Sequence, residues 1–207
     1  FNVLPLGPTA AGIIICDVMG HGVRSALITA MVRAMIEELR PHAVDPARLL
    51  TELNAHLTRL LQRTGDMIFV TAAYGVVDAE NGRLAYAQAG HPTPLRWNAR
   101  EQVCAPLPDA ARIGGPALGL MEDSSYAALE LILGPGDRLL FFTDGIFEIE
   151  GADGEEFGVA RLAAAMKAQA RSELAAMLPG LKTVAAEYAG GRPFGDDVCL
   201  VACEMRV

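Results

Sequence analysis

The sequence predicts an α+β protein, and three observations carry that reading. Ile13–Val18, Met67–Val77 and Arg138–Thr143 are rich in β-branched and aromatic residues and read as strands. Helical stretches come in consecutive pairs, Val23–Arg40 with Asp45–Arg63, and Val159–Ala170 with Ser172–Ala189. Asn81-Gly82 stands between two strand-like runs, the strongest short-range hairpin signal there is. At 207 residues the chain holds one domain with a sizeable core, or two small ones. Its composition, 52% hydrophobic and 20% charged, excludes a disordered chain.

In order, Phe1–Leu6 is a short apolar stretch that Gly7-Pro8 turns toward Ile13–Val18, giving a hairpin. From Val23 the period becomes helical: Val23, Ala26, Leu27, Ala30, Met31, Ala34 and Met35 form the expected apolar face, and Pro41 ends the helix. Asp45 caps a second helix with Pro46 at its first position, and Leu49, Leu50, Leu53, Leu57, Leu60 and Leu61 are its apolar side. Asn54 and His56 fall on the polar side of that helix. Met67–Val77 and Leu84–Gln88 flank the Glu80-Asn81-Gly82 turn, and Ala89-Gly90-His91-Pro92 ends the second of them. Leu95–Trp97 continues as a short strand, and Arg100–Pro116 is loop-prone. Tyr126–Leu133 and Arg138–Thr143 are expected to pair across the Gly134-Pro135-Gly136-Asp137 turn. Val198–Cys203 is the last strand.

The formal net charge of −8 and the lack of a basic stripe exclude an electrostatic footprint for nucleic acid. Cys16, Cys104, Cys199 and Cys203 form no C-x-x-C pair, and Cys16, Cys199 and Cys203 lie in apolar runs. They read as buried free thiols of a cytoplasmic, reducing compartment. No apolar run approaches the length of a membrane span.

The chemistry-bearing stretch is Ile13–Gly22. A buried strand runs into Asp17, and a histidine between two glycines (Gly20-His21-Gly22) opens a helix. Taken alone, Asp17 is as well explained as a helix cap as by a metal. The pattern recurs, however: Leu139–Thr143 delivers Asp144 beside Gly145, and Gly195-Asp196-Asp197 precedes the last strand. Several carboxylates at strand ends would repel one another unless a polyvalent cation joined them. An oxygen-only donor set points to Mg²⁺ or Mn²⁺ over zinc. Metal-dependent phosphoryl hydrolysis is the chemistry such a site serves.

These residues resemble a family. Cys16–Gly22, Ala89-Gly90-His91-Pro92, Gly134-x-Gly-Asp-Arg-Leu, Thr143-Asp144-Gly145, Asp153-Gly154 with Phe157-Gly158, and Asp196-Asp197 occur in the order seen in PPM (protein phosphatase 2C-like) metal-dependent Ser/Thr phosphatases. The match is to the bacterial branch of SpoIIE-like and sigma-factor regulators, and it covers nearly the whole chain. The resemblance implies a single domain over 1–207 with a four-layer α-β-β-α sandwich of two antiparallel sheets between helix pairs. It implies two Mn²⁺ or Mg²⁺ ions, with Asp17 bridging them, the Val18 carbonyl on one, Asp144 and Asp196 on the second, and Asp197 supporting the site. His21 is a candidate acid for the leaving serine oxygen, against a turn histidine. A metal-activated water would cleave phosphoserine or phosphothreonine on a small anti-sigma-factor-antagonist-type protein, without a phosphoenzyme.

Two departures stand out. The family carries a Gly-Gly-Asp segment, whose acid helps bind the first metal, on the strand before the position of Phe1. The chain is therefore expected to be part of a longer signalling protein with an upstream sensor or regulatory domain, and the first sheet to carry an open edge. Cys199 stands where the family usually has Thr. His91 resembles a family position and reads as structural. Arg24 reads as a solvated helix residue, and Asp153, Glu155 and Glu156 as a solvated turn rather than a calcium loop. A shift of the helices at 23–63, which follow Asp17 directly, would couple the metal site to an upstream domain or to a homodimer contact. The competing readings are a pseudo-phosphatase that binds a phosphorylated partner without turnover and a small-molecule phosphoesterase on the same fold.

Overall fold

The structure is a computed structural model that describes residues 1–61, 68–108 and 113–206. It divides into two compact units, one of residues 1–91 and 108–132, the other of residues 92–107 and 133–207. Each has its own sheet and its own hydrophobic core.

The first unit holds β1 (Asn2–Pro5), β2 (Ala10–Val18), β3 (Val70–Asp78), β4 (Arg83–Ala89) and β7 (Leu129–Ile132), ordered β1-β2-β3-β4-β7 and antiparallel throughout. The β1–β2 hairpin pairs Asn2 with Ile14, and the Leu6 amide closes it on the Ala10 carbonyl at 2.9 Å. In the β3–β4 turn, Asp78 accepts from the Glu80 amide and the Asn81 side chain, and Gly82 takes φ +69°. That is the hairpin expected from Asn-Gly. One face of this sheet packs on α1 (Val23–Glu38) and α2 (Pro46–Leu61) through Ile14, Cys16, Val70, Ala72, Tyr74 and Ala87. Tyr74 crosses Gly12 on that face, where any Cβ would strike its ring, and donates to the Ala43 carbonyl at 2.6 Å. This ties the sheet to the turn between the helices.

The second unit holds β5 (Leu95–Asn98), β6 (Val103–Pro106), β8 (Arg138–Phe142) and β9 (Leu200–Glu204), ordered β6-β5-β8-β9 and again antiparallel. Leu95, Trp97, Leu140 and Phe142 pack on α3 (Gly158–Ala168) and α4 (Leu174–Tyr188) through Leu162, Met166, Met177 and Leu181. Two antiparallel sheets, each with a helix pair, give the α+β content expected.

Several local expectations need correction. The buried stripe of α1 is Ile28, Val32 and Ile36, while Val23 and Leu27 are exposed. An apolar helix has no single face that periodicity can pick, and here the β-branched ridge at i, i+4, i+8 is the one that packs. Asp45 does cap α2, accepting from the Arg48 amide at 3.1 Å. Asn54, however, is fully buried rather than on the polar side, and it holds the loop at 119–122. Its Oδ1 accepts from the Gly119 amide at 2.9 Å and its Nδ2 donates to the Met121 carbonyl at 2.9 Å. β6 lies inside the stretch read as loop. Asn98 builds its turn by accepting from the Gln102 amide on its carbonyl and the Glu101 amide on Oδ1.

β7 and β8 do not pair with each other: β7 joins β4, and β8 runs between β5 and β9. The reason is Asp137, only 2% exposed, which anchors the turn to β5. It accepts from the Gly134 amide at 3.0 Å, the Ala99 amide at 2.8 Å and Arg96 Nη2 at 2.5 Å. Arg138 beside it meets Glu204 at 2.7 Å and donates to the Ser172 carbonyl at 2.7 Å, fastening the α3–α4 connection to the sheet. The Gly-Asp-Arg motif is thus a staple.

The four cysteines are free, as expected, and half-buried rather than buried; burial still pushes the Cys16 thiol up to about 12 and that of Cys203 up to about 11. Met67 and Arg63, the expected ends of a strand and a helix, and residues 109–112 of the expected loop lie outside the described residues. Among the described residues no helix is long and apolar enough to cross a membrane.

Candidate functional site

The expected site residues fall in two sets. Asp17 and Val18 end β2 in the first unit, while Asp144, Asp196 and Asp197 lie in the second.

In the first set, strand alternation decides the geometry. Ile14, Cys16 and Val18 face the helices, so Ile13, Ile15 and Asp17 face the other way. Asp17 stands directly opposite Thr71 on β3. The Met19 amide donates to the Phe69 carbonyl at 3.0 Å, which fixes the 17/71 pair as a hydrogen-bonded one. Val18 falls in the alternate position, so its amide and carbonyl point away from β3, to the side on which β1 runs. After the strand, Gly20 (φ +87°) and Gly22 (φ +92°) take backbone values that side chains rarely adopt, and they carry exposed His21 into α1. The glycines explain the turn without assigning His21 any chemistry.

In the second set, β8 delivers Thr143 and Asp144, and a 3₁₀ turn (Asp144–Ile146) begins at once. Thr143 Oγ1 donates to the Asp197 carbonyl at 2.9 Å and accepts from the Cys199 amide at 2.9 Å. The Thr143 amide donates to the Cys199 carbonyl at 3.1 Å. Gly145 lies against this segment so closely that a Cβ would stand 2.6 Å from the Asp197 oxygen. Thr-Asp-Gly is therefore laid onto Asp196-Asp197, and Asp196 Oδ1 accepts the Asp197 amide at 2.7 Å.

Asp144 Oδ1 is buried with no hydrogen-bond partner among the described residues. A buried carboxylate oxygen without a donor is costly unless a cation meets it, so the donor set fits a hard divalent ion. Desolvation, then the charges of Asp144, Glu156 and Asp196, hold the Glu148 carboxyl above its ordinary range. Negative charge is concentrated at this end of β8, as it is around sites that take cations. Among the described residues no three His, Cys, Asp or Glu side chains converge tightly enough to hold a metal by themselves.

Asp153, Glu155 and Glu156 are exposed, as a solvated turn predicts, on a backbone that two arginines tie down. Arg192 donates to the Gly151 carbonyl at 2.9 Å, Arg161 to the Glu156 carbonyl at 2.8 Å, and the Arg161 guanidinium lies 4.9 Å over the Tyr188 ring. Sequence reasoning assigned no role to Thr71, and read His91 as structural. His91 is 5% exposed with Nδ1 2.8 Å from Thr71 Oγ1, which brings it to the strand position beside Asp17. The contact itself follows from the β3–β4 pairing and the Ala72–Gly90 bridge, but its place beside Asp17 depends on the register of β2 with β3 across two intervening helices, which no spacing in the sequence reveals.

Comparison with known proteins places this geometry. Residues 7–206 match the family model of Stage II sporulation protein E (SpoIIE). The phosphoserine phosphatase RsbP of Bacillus subtilis (strain 168) is 33% identical over 138 residues, 66% of this chain and 33% of RsbP. The phosphoserine phosphatase RsbU of the same organism is 27% identical over 143 residues, 69% of this chain and 40% of RsbU. The chain thus spans well under half the length of these relatives. Among solved structures, the SiaA-PP2C domain of Pseudomonas aeruginosa superposes with a TM-score of 0.81 at 27% identity, covering 97% of this chain and 78% of that one. The RsbU and RsbW domains of Rv1364c from Mycobacterium tuberculosis give 0.82 at 24% identity, covering 100% and 54%. The catalytic domain of the serine threonine protein phosphatase PstP, solved with 2 manganese ions, gives 0.67 at 16% identity and shares the fold, covering 100% and 91%. The chain belongs to the SpoIIE family of PP2C-type phosphatase domains.

Proposed function

We propose that the chain is the catalytic domain of a divalent-metal-dependent protein serine/threonine phosphatase. The observation that carries this is Asp144: a buried, orphaned carboxylate oxygen on a Thr-Asp-Gly turn packed against Asp196-Asp197. By motif match, Asp17 with the Val18 carbonyl, and Asp144 with Asp196, hold Mn²⁺ or Mg²⁺, and Asp197 supports Asp144 through the Thr143 bridge. Bound there, the ions lower the pKa of water and neutralise phosphoryl charge. The chain's own part is to fix its carboxylates: β2 and β8 are each paired with a strand on both sides, and Thr143 bonds the 196–199 segment on which Asp196 sits. His21, exposed between two glycines of positive φ, is the candidate acid for the leaving serine oxygen, against a purely structural turn histidine.

Two relatives named as phosphoserine phosphatases favour phosphoserine or phosphothreonine as substrate, and the family resemblance extends this proposal to a small cytoplasmic protein of the anti-sigma-factor-antagonist type. One domain of a longer signalling protein, with a sensor or regulatory domain upstream, is the matching organisation. A homodimer through residues 23–63 would use the exposed Val23 and Leu27 of α1. The test is hydrolysis of p-nitrophenyl phosphate with Mn²⁺ titrated in, for the chain and for Asp17→Asn and Asp144→Asn. Turnover that needs Mn²⁺, stops with chelator and vanishes in both variants is expected. Metal bound without turnover on any phosphoprotein would refute the enzyme in favour of a binding module.

A further inference from the structure

We propose that Thr71 and His91 are a positioning pair that orients Asp17, an assignment that rests on reading Asp17 as a metal ligand. Asp17 and Thr71 are directly opposed across β2 and β3, and the Met19–Phe69 bond makes theirs a hydrogen-bonded pair. The Cα atoms of such a pair lie about 5.5 Å apart with both side chains on one face. Thr71 therefore stands next to the carboxylate, on the face turned away from the helix-packed core.

A hydroxyl offers one proton and two lone pairs. Thr71 Oγ1 lies 2.8 Å from His91 Nδ1. If Nδ1–H donates to Oγ1, the threonine proton is released toward Asp17. If Oγ1 instead donates to a bare Nδ1, only lone pairs face the carboxylate, and these repel it. An anionic Asp17 selects the first arrangement. The ring then sets the hydroxyl, and the hydroxyl sets the carboxylate.

The backbone is built to bring His91 there. After β4 the chain crosses toward β3, where Gly90 bridges Ala72, the neighbour of Thr71, and its amide donates to the Gly115 carbonyl at 2.9 Å. Gly90 takes φ +62°, and a Cβ there would stand 3.1 Å from the Ala117 amide nitrogen. Only glycine fits both the dihedral and the space. The Ala-Gly-His-Pro run is the device that delivers a buried imidazole to Thr71, the strand partner of Asp17. Neither Thr71 nor His91 is assigned a contact with reacting atoms.

The test compares the full chain with Thr71→Val, which removes the hydroxyl at nearly constant volume, Thr71→Ser, which restores it, and His91→Phe. Mn²⁺ affinity of the metal-free proteins is read by calorimetry, beside kcat and KM for p-nitrophenyl phosphate and the thermal midpoint without metal. Removing a hydrogen-bond partner behind a metal ligand costs roughly 10- to 100-fold in affinity or rate. Thr71→Val is expected to lose at least about tenfold in Mn²⁺ affinity and in kcat, with KM held. Thr71→Ser should recover both, and His91→Phe combined with Thr71→Val should be no worse than either alone. Wild-type Mn²⁺ affinity in Thr71→Val, or a shift confined to the thermal midpoint, would overturn the pair and leave the phosphatase reading standing. A wild-type chain that binds Mn²⁺ but hydrolyses nothing would refute the phosphatase alone, since the affinities still decide the pair. A chain that binds no Mn²⁺ would overturn both.

Discussion

Gly145→Ala is the perturbation whose consequence the packing of the Thr143–Gly145 turn defines most closely. The glycine is not in the left-handed region, so alanine brings no backbone strain and the effect is steric. Its Cβ would stand 2.6 Å from the Asp197 carbonyl oxygen and 3.1 Å from that of Asp196, against a floor of 3.0 Å for such contacts, so the 196–197 backbone must recede by about 0.4 Å. The obstacle is main chain held by the 2.9 Å Thr143 bond, and it cannot swing aside as a side-chain tip would. Overpacking of this kind costs about 1–3 kcal/mol, and loss of the Thr143 bond adds about 1 kcal/mol. The expected destabilisation is therefore about 2–4 kcal/mol. Urea unfolding followed by Trp97, the only tryptophan and a core residue of the same unit, reads it directly. Because Asp196 moves with the segment, kcat at saturating Mn²⁺ should fall by about 100-fold, the usual effect of a small misplacement at a reacting centre. A variant within about 0.5 kcal/mol of wild type and with unchanged kcat would refute the argument that glycine is required for this contact.

Asp137→Ala should cost about 3–5 kcal/mol in urea unfolding, since it strands Arg96 and the Gly134 and Ala99 amides at a buried position; a loss under about 1 kcal/mol would mean the staple is not what holds that end of β8. Asn54→Ala leaves the Gly119 amide and the Met121 carbonyl unmatched and should lower stability by about 2–3 kcal/mol, measured the same way. Hydrogen bonding by Arg206, then the charge of Arg138, hold the Glu204 carboxyl below its ordinary value of 4.5. Its contribution to stability is therefore complete above about pH 4.5 and is lost as pH falls through the lower folded value. The stability gap between wild type and Glu204→Gln should shrink steadily on acidification below that point; a constant gap would contradict the pairing. Glu148, held high first by desolvation and then by Asp144, Glu156 and Asp196, has the opposite sign. Glu148→Gln should raise the thermal midpoint of the metal-free chain at neutral pH, and the gain should disappear as the pH drops through the carboxylate range.

The strand-to-Asp pattern was legible because each strand that ends at a chemical residue is a run of β-branched or aromatic side chains with glycine beside the acid. The recurrence marked out Asp17, Asp144 and the pair Asp196-Asp197, the family resemblance chose Asp196 within that pair, and the helix cap at Asp45 was equally plain. The failures have a common cause. β7 and β8 look like a hairpin because a four-residue turn joins them, yet Asp137 is committed to the distant Ala99 amide and Arg96. Asn54 looks like a surface residue because the helix period cannot announce a loop sixty-odd residues later that needs its amide. Apolar α1 offers several equivalent faces, and only the packed structure selects Ile28, Val32 and Ile36. The place of Thr71 and His91 beside Asp17 was invisible for the same reason: the register of β2 with β3 is long-range and is a property of the sheet.

The β1–β2 hairpin acts as a ruler for one end of the site. Asn2 sits across from Ile14, so Phe1 aligns with Ile15, and any chain continuing that strand backward aligns next with Cys16, then with Asp17, then with Val18. A residue two positions ahead of Phe1 would share the face of Asp17 and become its lateral neighbour, opposite Thr71. The four-residue connection at 6–9 sets this alignment through the Leu6–Ala10 bond. Lengthening it by one residue would leave the turn easy to close while inverting which side of β1 meets the carboxylate. The most consequential place to insert a residue is thus a surface loop remote in space from the chemistry whose alignment it controls.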